Sequence, residues 1–316
     1  MGDIQYFRKE DIQKKISMAR AIDMMRAAFL QLTSGGAIVP VRTVIESRDH
    51  MGRVLFMPSY SAEFGLFGMK MVTVFDYNEA INLPVIQGKM LLMDGVTGTP
   101  LAVLDAEYLT ALRTGAASGL ATDLLARHDA SVLALFGTGV QAETQLEGIL
   151  AVRNIKEVMV YGKTEKRTVA FCNEMGKRHP CNIHVGTPGD LQQADVICTA
   201  TTTTTPLFEF NQLKAGVHIN GIGSYKPTMQ EIGASVITQS VLIVDQREAV
   251  LSEAGDIMIP IQQGLMTKEN IHAELGEVIS GFRKGRTDDT QVTVFKSVGN
   301  AIQDLAIARC MVALED

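Results

Sequence analysis

Glycines spaced as G-x-G-x-x-A can cradle a phosphate, and Gly137-Thr138-Gly139-Val140-Gln141-Ala142 has that spacing. The apolar run Ser131-Val132-Leu133-Ala134-Leu135-Phe136 precedes it, and a helix-like stretch follows. Between a strand and a helix, the first glycine allows a tight turn and the second lets phosphate approach the backbone. The small third residue then lets helix pack closely on strand. Free N–H groups at the helix start face the anion. The chemistry expected is binding of a dinucleotide pyrophosphate, although a plain strand–turn–helix can carry the same letters.

Dinucleotide choice turns on the end of the next strand, where an acid about 20 residues past the first glycine bonds the ribose of NAD. Glu157 lies at that distance but precedes the strand Val158-Met159-Val160-Tyr161. That strand ends in Gly162-Lys163-Thr164-Glu165-Lys166-Arg167, with cations where the acid is expected. Lys163, Lys166 or Arg167 could pair with a 2′-phosphate and Thr164 could donate a hydroxyl. A solvated helix start would look the same. The missing acid favours NADP(H), with NAD(H) as the alternative. Two further loops are expected at the carboxyl edge of the sheet, where ligands sit. Thr199-Ala200-Thr201 opens one, a threonine run to Thr205; Gly223-Ser224 belongs to the other. For the threonines, a polar turn is the plainer alternative.

Three cations stand where cations are costly. Arg42 interrupts the apolar run Ile38-Val39-Pro40-Val41, Lys70 an almost purely apolar run from Gly65 to Phe75, and Arg113 a helix of small residues, Leu112 to Gly119. Both faces of the Lys70 strand look buried. A lone buried cation costs several kcal/mol, so each needs an anion. Structural ion pairs or an exposed strand face would account for them one by one. A bound carboxylate clamped by two arginines and a lysine would satisfy all three together.

The elements that must position these groups change character along the chain. Ser17 caps a helix reaching Leu32, ended by Gly35-Gly36. Strand-like runs follow at 38–45, 53–58, 67–75, 84–93 and 100–104, with turns between them, including Asp49 to Gly52. Successive strands imply an antiparallel sheet. A long helix is expected over 106–127. From Ser131, strands at 131–136, 157–161, 183–185, 195–199, 217–220 and 241–245 alternate with helices at 140–152, 165–178, 189–193, 207–213 and 228–235. That is the rhythm of a parallel, doubly wound sheet. Helices are expected at 247–254 and 268–280, a strand at 292–295, and a last helix over 297–314 that returns to the first domain.

Composition narrows the classes. The 316 residues, 46% hydrophobic and 20% charged, suffice for two globular domains. A net charge of −6 with no basic run argues against a nucleic-acid partner. The start at Met1-Gly2 has no secretory apolar stretch, Tyr6 spoils a myristoylation pattern, and no run suits a membrane span. A cytoplasmic enzyme is expected. Cys172, Cys181, Cys198 and Cys310 form no C-x-x-C pair and the six histidines show no zinc spacing, so neither a disulfide framework nor a metal site is expected.

At these residues the chain resembles the ornithine cyclodeaminase/mu-crystallin family over nearly its whole length. Gly68-Met69-Lys70, Leu112 to Ser118, Phe136 to Ala142, Ile219 to Tyr225 and Phe295 to Ala306 carry the resemblance. It implies an α/β fold: a Rossmann-type doubly wound sheet over 116–295 that binds NAD(P), and an α+β domain over 1–115 with 296–316 for substrate binding and dimerisation. It implies a homodimer, and it implies that Arg42, Lys70 and Arg113 hold an amino or imino acid carboxylate at the nicotinamide. Lys70 and Arg113 would be the catalytic residues, with Tyr225 also at the substrate.

One departure separates the family's activities. Its cyclodeaminases carry an aspartate base in the loop after the fifth Rossmann strand; matching Gly223 and Pro227 puts Tyr225 there. Without that base, deamination with cyclisation is disfavoured. Reduction of a preformed cyclic imine asks only for orientation, a hydride and charge placement. The expected activity is reduction of Δ1-pyrroline-2-carboxylate or Δ1-piperideine-2-carboxylate to L-proline or L-pipecolate. Ornithine cyclodeaminase, an alanine-type dehydrogenase and a non-catalytic NADPH-binding protein are the rivals. Thr228 is expected to help shape the pocket, and Glu231 to serve the first turn of a following helix.

Overall fold

The computed structural model describes residues 4–47, 49 and 52–312. The His50-Met51 part of the expected turn, the Met1-Gly2 start and the Ala313-Leu314 end of the last expected helix lie outside the described residues. The chain divides into two compact units, Met1–Arg113 with Asn300–Asp316, and Thr114–Gly299.

The first unit opens with β1 (Gln5–Phe7), α1 (Lys9–Lys15) and α2 (Met18–Ser34). Ser17 caps α2 by accepting from the Arg20 amide at 3.2 Å. Then come β2 (Ala37–Ile38), β3 (Thr43–Ser47), β4 (Gly52–Ser61), β5 (Leu66–Phe75), β6 (Ile86–Asp94) and β7 (Pro100–Asp105). They form one sheet in the order β1-β7-β6-β5-β4-β2, with β3 also on β4. All pairs are antiparallel except β1 with β7, an edge strand the sequence did not suggest.

The expected strand over 38–45 is two short strands. Pro40, which has no N–H to give a ladder, lies in the break, and Arg42 sits outside both strands, half-buried. The Lys70 strand is also not buried on both faces. Along β5, Leu66, Gly68 and Lys70 are buried, whereas Phe67 and Met71 are 40% and 41% exposed.

Helix α3 (Ala106–Leu125) carries the chain into the second unit. There follow β8 (Val132–Phe136), α4 (Val140–Leu150), β9 (Glu157–Tyr161), α5 (Glu165–Arg178), β10 (Asn182–Val185), β11 (Val196–Thr199), β12 (His218–Gly221), α6 (Ala234–Thr238), β13 (Val241–Val244), α7 (Arg247–Glu253), α8 (Gly255–Gln262), β14 (Ile271–Glu274), α9 (Leu275–Ile279) and β15 (Thr293–Lys296). The strands form a parallel sheet in the order β10-β9-β8-β11-β12-β15-β13-β14. Order reverses at β8/β11, the switch point of a doubly wound fold. Leu133 and Leu135 of β8 enter one core, Ala134 and Phe136 the other, because successive side chains of a strand point to opposite faces.

Three expected helices give way. Of 207–213 only one turn forms, Phe210–Gln212, and of 228–235 only its end joins α6. The stretch 268–280 is a short turn, an edge strand and α9. A 3.6-residue spacing in so short an apolar stretch cannot exclude a strand laid along a sheet edge.

Helix α10 (Ala301–Arg309) starts after Asn300, not at Ser297, and belongs to the first unit. It packs on α2, β4, β5 and β6. Gly68 makes room for it: a Cβ there would lie 2.9 Å from Leu305 Cδ1.

Candidate active site

Lys70 is on the face of β5 that α10 covers, and it is 2% exposed. Its Nζ lies 2.6 Å from Oδ2 of Asp304, a fully buried carboxylate in the first turn of α10. A helix start favours negative charge, so α10 steadies this anion. Arg113 reaches the same carboxylate: its Nε donates to Asp304 Oδ1 at 3.2 Å and its Nη1 to Gln303 Oε1 at 2.9 Å. Two cations thus share one carboxylate, leaving the trio positively charged.

The protein's own Asp304, rather than a bound acid alone, therefore answers the cost of burying Lys70 and Arg113. Burial lowers the Lys70 pKa to about 8; Asp304 opposes the shift, while Arg113 and Arg42 add to it. Arg42 thus lies within electrostatic reach of Lys70. The Gln303 Nε2 and both polar atoms of the Asn300 amide are buried without a hydrogen-bond partner. Neither Asp304 nor Gln303 was among the residues expected from sequence. A carboxylate inside the apolar stretch Ala301 to Ala308 was the available sign.

In the second unit, Gly137 has φ 116°, and a Cβ there would meet the Ala200 carbonyl oxygen at 2.4 Å. Its N–H donates to the Tyr161 carbonyl at 2.8 Å, and the Ala200 N–H donates to the Phe136 carbonyl at 2.8 Å. The protein itself needs this glycine. Gly139 differs: it precedes α4, and no atom lies within 4 Å of where its Cβ would be. Open space at the start of an 11-residue helix fits a pyrophosphate. Ala142 is fully buried in the core against β8, Val140 is exposed, Thr138 half-buried, and Gln141 keeps a buried Oε1 without a partner.

Past β9, Gly162, Lys163, Thr164, Lys166 and Arg167 are all exposed. Tyr161 ends the strand; its hydroxyl donates to the Thr187 carbonyl at 3.1 Å and its ring stacks on Phe136.

The loops at Thr199-Ala200-Thr201 and Gly223-Ser224 do lie at the carboxyl ends of β11 and β12. Their donors, however, face a buried carboxylate, that of Glu231. The expectation that Glu231 serves the first turn of a helix is overturned: residues 228–233 are not helical, and the side chain bonds both loops. Burial raises the Glu231 pKa, opposed by Lys296. Tyr225 is 40% exposed, with the Lys226 ammonium 5.5 Å from its ring centre; Thr228 is exposed.

Among the described residues, no group of three or more His, Cys, Asp or Glu could hold a metal ion, and no helix is long and apolar enough to cross a membrane. The family model for the ornithine cyclodeaminase/mu-crystallin family matches residues 5–313. The Δ1-pyrroline-2-carboxylate reductase of Bacillus cereus is 39% identical over 300 residues, covering 94% of this chain and 92% of that protein. A structure of Thermococcus litoralis Δ1-pyrroline-2-carboxylate reductase with NADH and L-proline superposes with a TM-score of 0.92 at 38% identity, covering 98% of this chain and 96% of that one. An archaeal alanine dehydrogenase dimer with bound NAD superposes at 0.91 with 34% identity, covering 98% and 94%.

Proposed function

Because the chain belongs to the ornithine cyclodeaminase/mu-crystallin family, we propose that it is a nicotinamide-dependent reductase of cyclic imino acids. Its substrates are Δ1-pyrroline-2-carboxylate or Δ1-piperideine-2-carboxylate, and its products L-proline or L-pipecolate. The observation that carries this reading is the sharing of one buried carboxylate, Asp304, by Lys70 and Arg113. The excess positive charge suits a small carboxylate, and the unpartnered Gln303 amide beside Arg113 suits a polar one.

In this reading Arg113 and Arg42 bind the substrate carboxylate, and Lys70 supplies or holds the proton at the ring nitrogen. A bound reduced nicotinamide supplies the hydride. Gly137 to Ala142 hold the pyrophosphate. Tyr225, where the family's cyclodeaminases have aspartate, offers a phenol and no carboxylate base, which favours reduction over cyclodeamination.

NADPH is the favoured cofactor within this proposal. Lys163, Thr164 and Arg167 are exposed past β9 and no acid ends that strand. A homodimer formed by the first unit is favoured too, since the uncovered face of its sheet keeps Phe67 and Met71 in the open and Val44, Ile45 and Ile86 are exposed on neighbouring strands. All four cysteines are free thiols, which suits a reducing cytoplasm.

The test is direct. The protein is mixed with either cyclic imine and NADPH or NADH, and loss of reduced-nicotinamide absorbance is followed. Turnover is expected, faster at low concentration with NADPH. Lys70→Ala and Arg113→Ala should abolish it and leave dinucleotide affinity nearly intact. Ammonia release from ornithine with NAD+ and no net cofactor change would overturn the reading in favour of the lyase.

A further inference from the structure

Strands β11 and β12 are neighbours, with Thr199 paired to Gly221, and each runs into one of the two loops at the carboxyl edge. The Glu231 side chain is fully buried between those loops. Its Oε2 accepts from Thr199 Oγ1 at 2.8 Å, the Gly223 N–H at 2.7 Å and the Ser224 N–H at 3.1 Å. Its Oε1 accepts from the Thr201 N–H at 2.6 Å and Thr201 Oγ1 at 2.8 Å. Two oxygens thus take five donors, three from one loop and two from the other.

Glu231 is itself held in place. Its own N–H and that of Ile232 donate to Asp256 Oδ1 at 2.7 and 3.0 Å. Asp256 in turn faces Lys296 at 2.9 Å, both fully buried. The loops touch closely enough that a Cβ on Gly223 would lie 2.3 Å from the Thr201 carbonyl oxygen.

We infer that Glu231 is a positioning residue for the dinucleotide: its carboxylate clips the loop at Thr199-Thr201 to the loop at Gly223-Ser224 and so sets the width of the crevice at this edge. The inference rests on the dinucleotide reading of the second unit. Glu231 does not meet the ligand, because it is buried and its acceptors are filled by protein donors. Only a carboxylate serves. A glutamine, whichever way its amide turns, sets an N–H against the Thr201 N–H or against those of Gly223 and Ser224.

The experiment measures NADPH and NADH affinity by calorimetry, with imine-reduction kinetics and melting temperature, for the parent protein, Glu231→Gln, Glu231→Asp and Thr199→Val. Glu231→Gln should weaken binding of the preferred dinucleotide about tenfold or more, the scale of one lost charge-assisted hydrogen bond. KM for the imine should stay within about twofold, because the carboxylate-binding groups of the first unit are untouched. Glu231→Asp, which keeps the charge, should recover part of the affinity. Thr199→Val removes one donor of five and should cost about threefold.

Lower melting temperatures with unchanged dinucleotide affinity would overturn the inference and leave Glu231 a stabilising residue only. If Glu231→Gln does not fold, Thr199→Val and Glu231→Asp decide by the same criterion. If the parent binds neither dinucleotide, the dinucleotide reading falls and the positioning role with it.

Discussion

At Lys70 burial and a neighbouring carboxylate pull the charge of one ammonium in opposite directions. Burial presses its pKa down to about 8 from 10.5, against the pull of Asp304. Imine reduction consumes a proton, so kcat/KM should fall as pH rises through about 8. A pH–rate profile checks this, and Lys70→Gln should lose that limb along with most of the rate. Stability runs the other way. The folded chain loses this proton first, so the Lys70 contribution to stability rises between pH 8 and 10.5, where only the unfolded chain still binds it. Asp304→Asn would leave Lys70 and Arg113 without their anion. It should cost about 3–5 kcal/mol in urea denaturation, as expected for breaking a buried pair.

At the level of elements, glycines do two different jobs around α4. Gly115 of α3 and Gly148 of α4 bring helix backbones together: a Cβ on Gly115 would lie 2.1 Å from the Thr144 carbonyl oxygen, and one on Gly148 2.1 Å from that of Gly115. The small residues that follow Arg113 on α3 thus include one that serves helix packing. Gly115→Val should destabilise the protein by about 1–3 kcal/mol or more through overpacking, read from the denaturation midpoint. A Cβ on Gly139 would have no atom within 4 Å. Gly139→Ala should therefore change stability by less than about 1 kcal/mol, yet remove most of the thermal shift that NADPH or NADH produces in the parent. Loss of stability without loss of that shift would mean the pyrophosphate binds elsewhere.

For the molecule as a whole, the first unit covers only one face of its sheet with α10 and leaves apolar side chains on the other. Met57, Lys70, Met90 and Leu92 are buried on the covered face, whereas Phe67 and Met71 are not. In the homodimer proposed above, a second copy of the chain covers them. Light scattering should give twice the mass of the 316-residue chain, and Phe67→Lys with Met71→Lys should halve it. The second unit closes its sheet from far along the chain, because β15 inserts between β12 and β13.

Much of this was legible in the residues alone. The glycine loop, the parallel strands from β8 onward apart from β14, the bounds of α5 and the odd position of Lys70 all follow from periodicity, turn chemistry and the cost of a buried charge. Each of these is written within a few consecutive residues. The partners were not legible. Nothing local says that Asp304 meets Lys70 and Arg113, or that Glu231 ties two loops at the carboxyl edge. Those outcomes depend on which distant segments share a core, and a carboxylate looks the same in sequence whether it faces water or a buried cation. The sequence by itself determined the kind of fold and the chemistry available to it. Tertiary packing decided which charges neutralise one another and which loops a buried carboxylate joins.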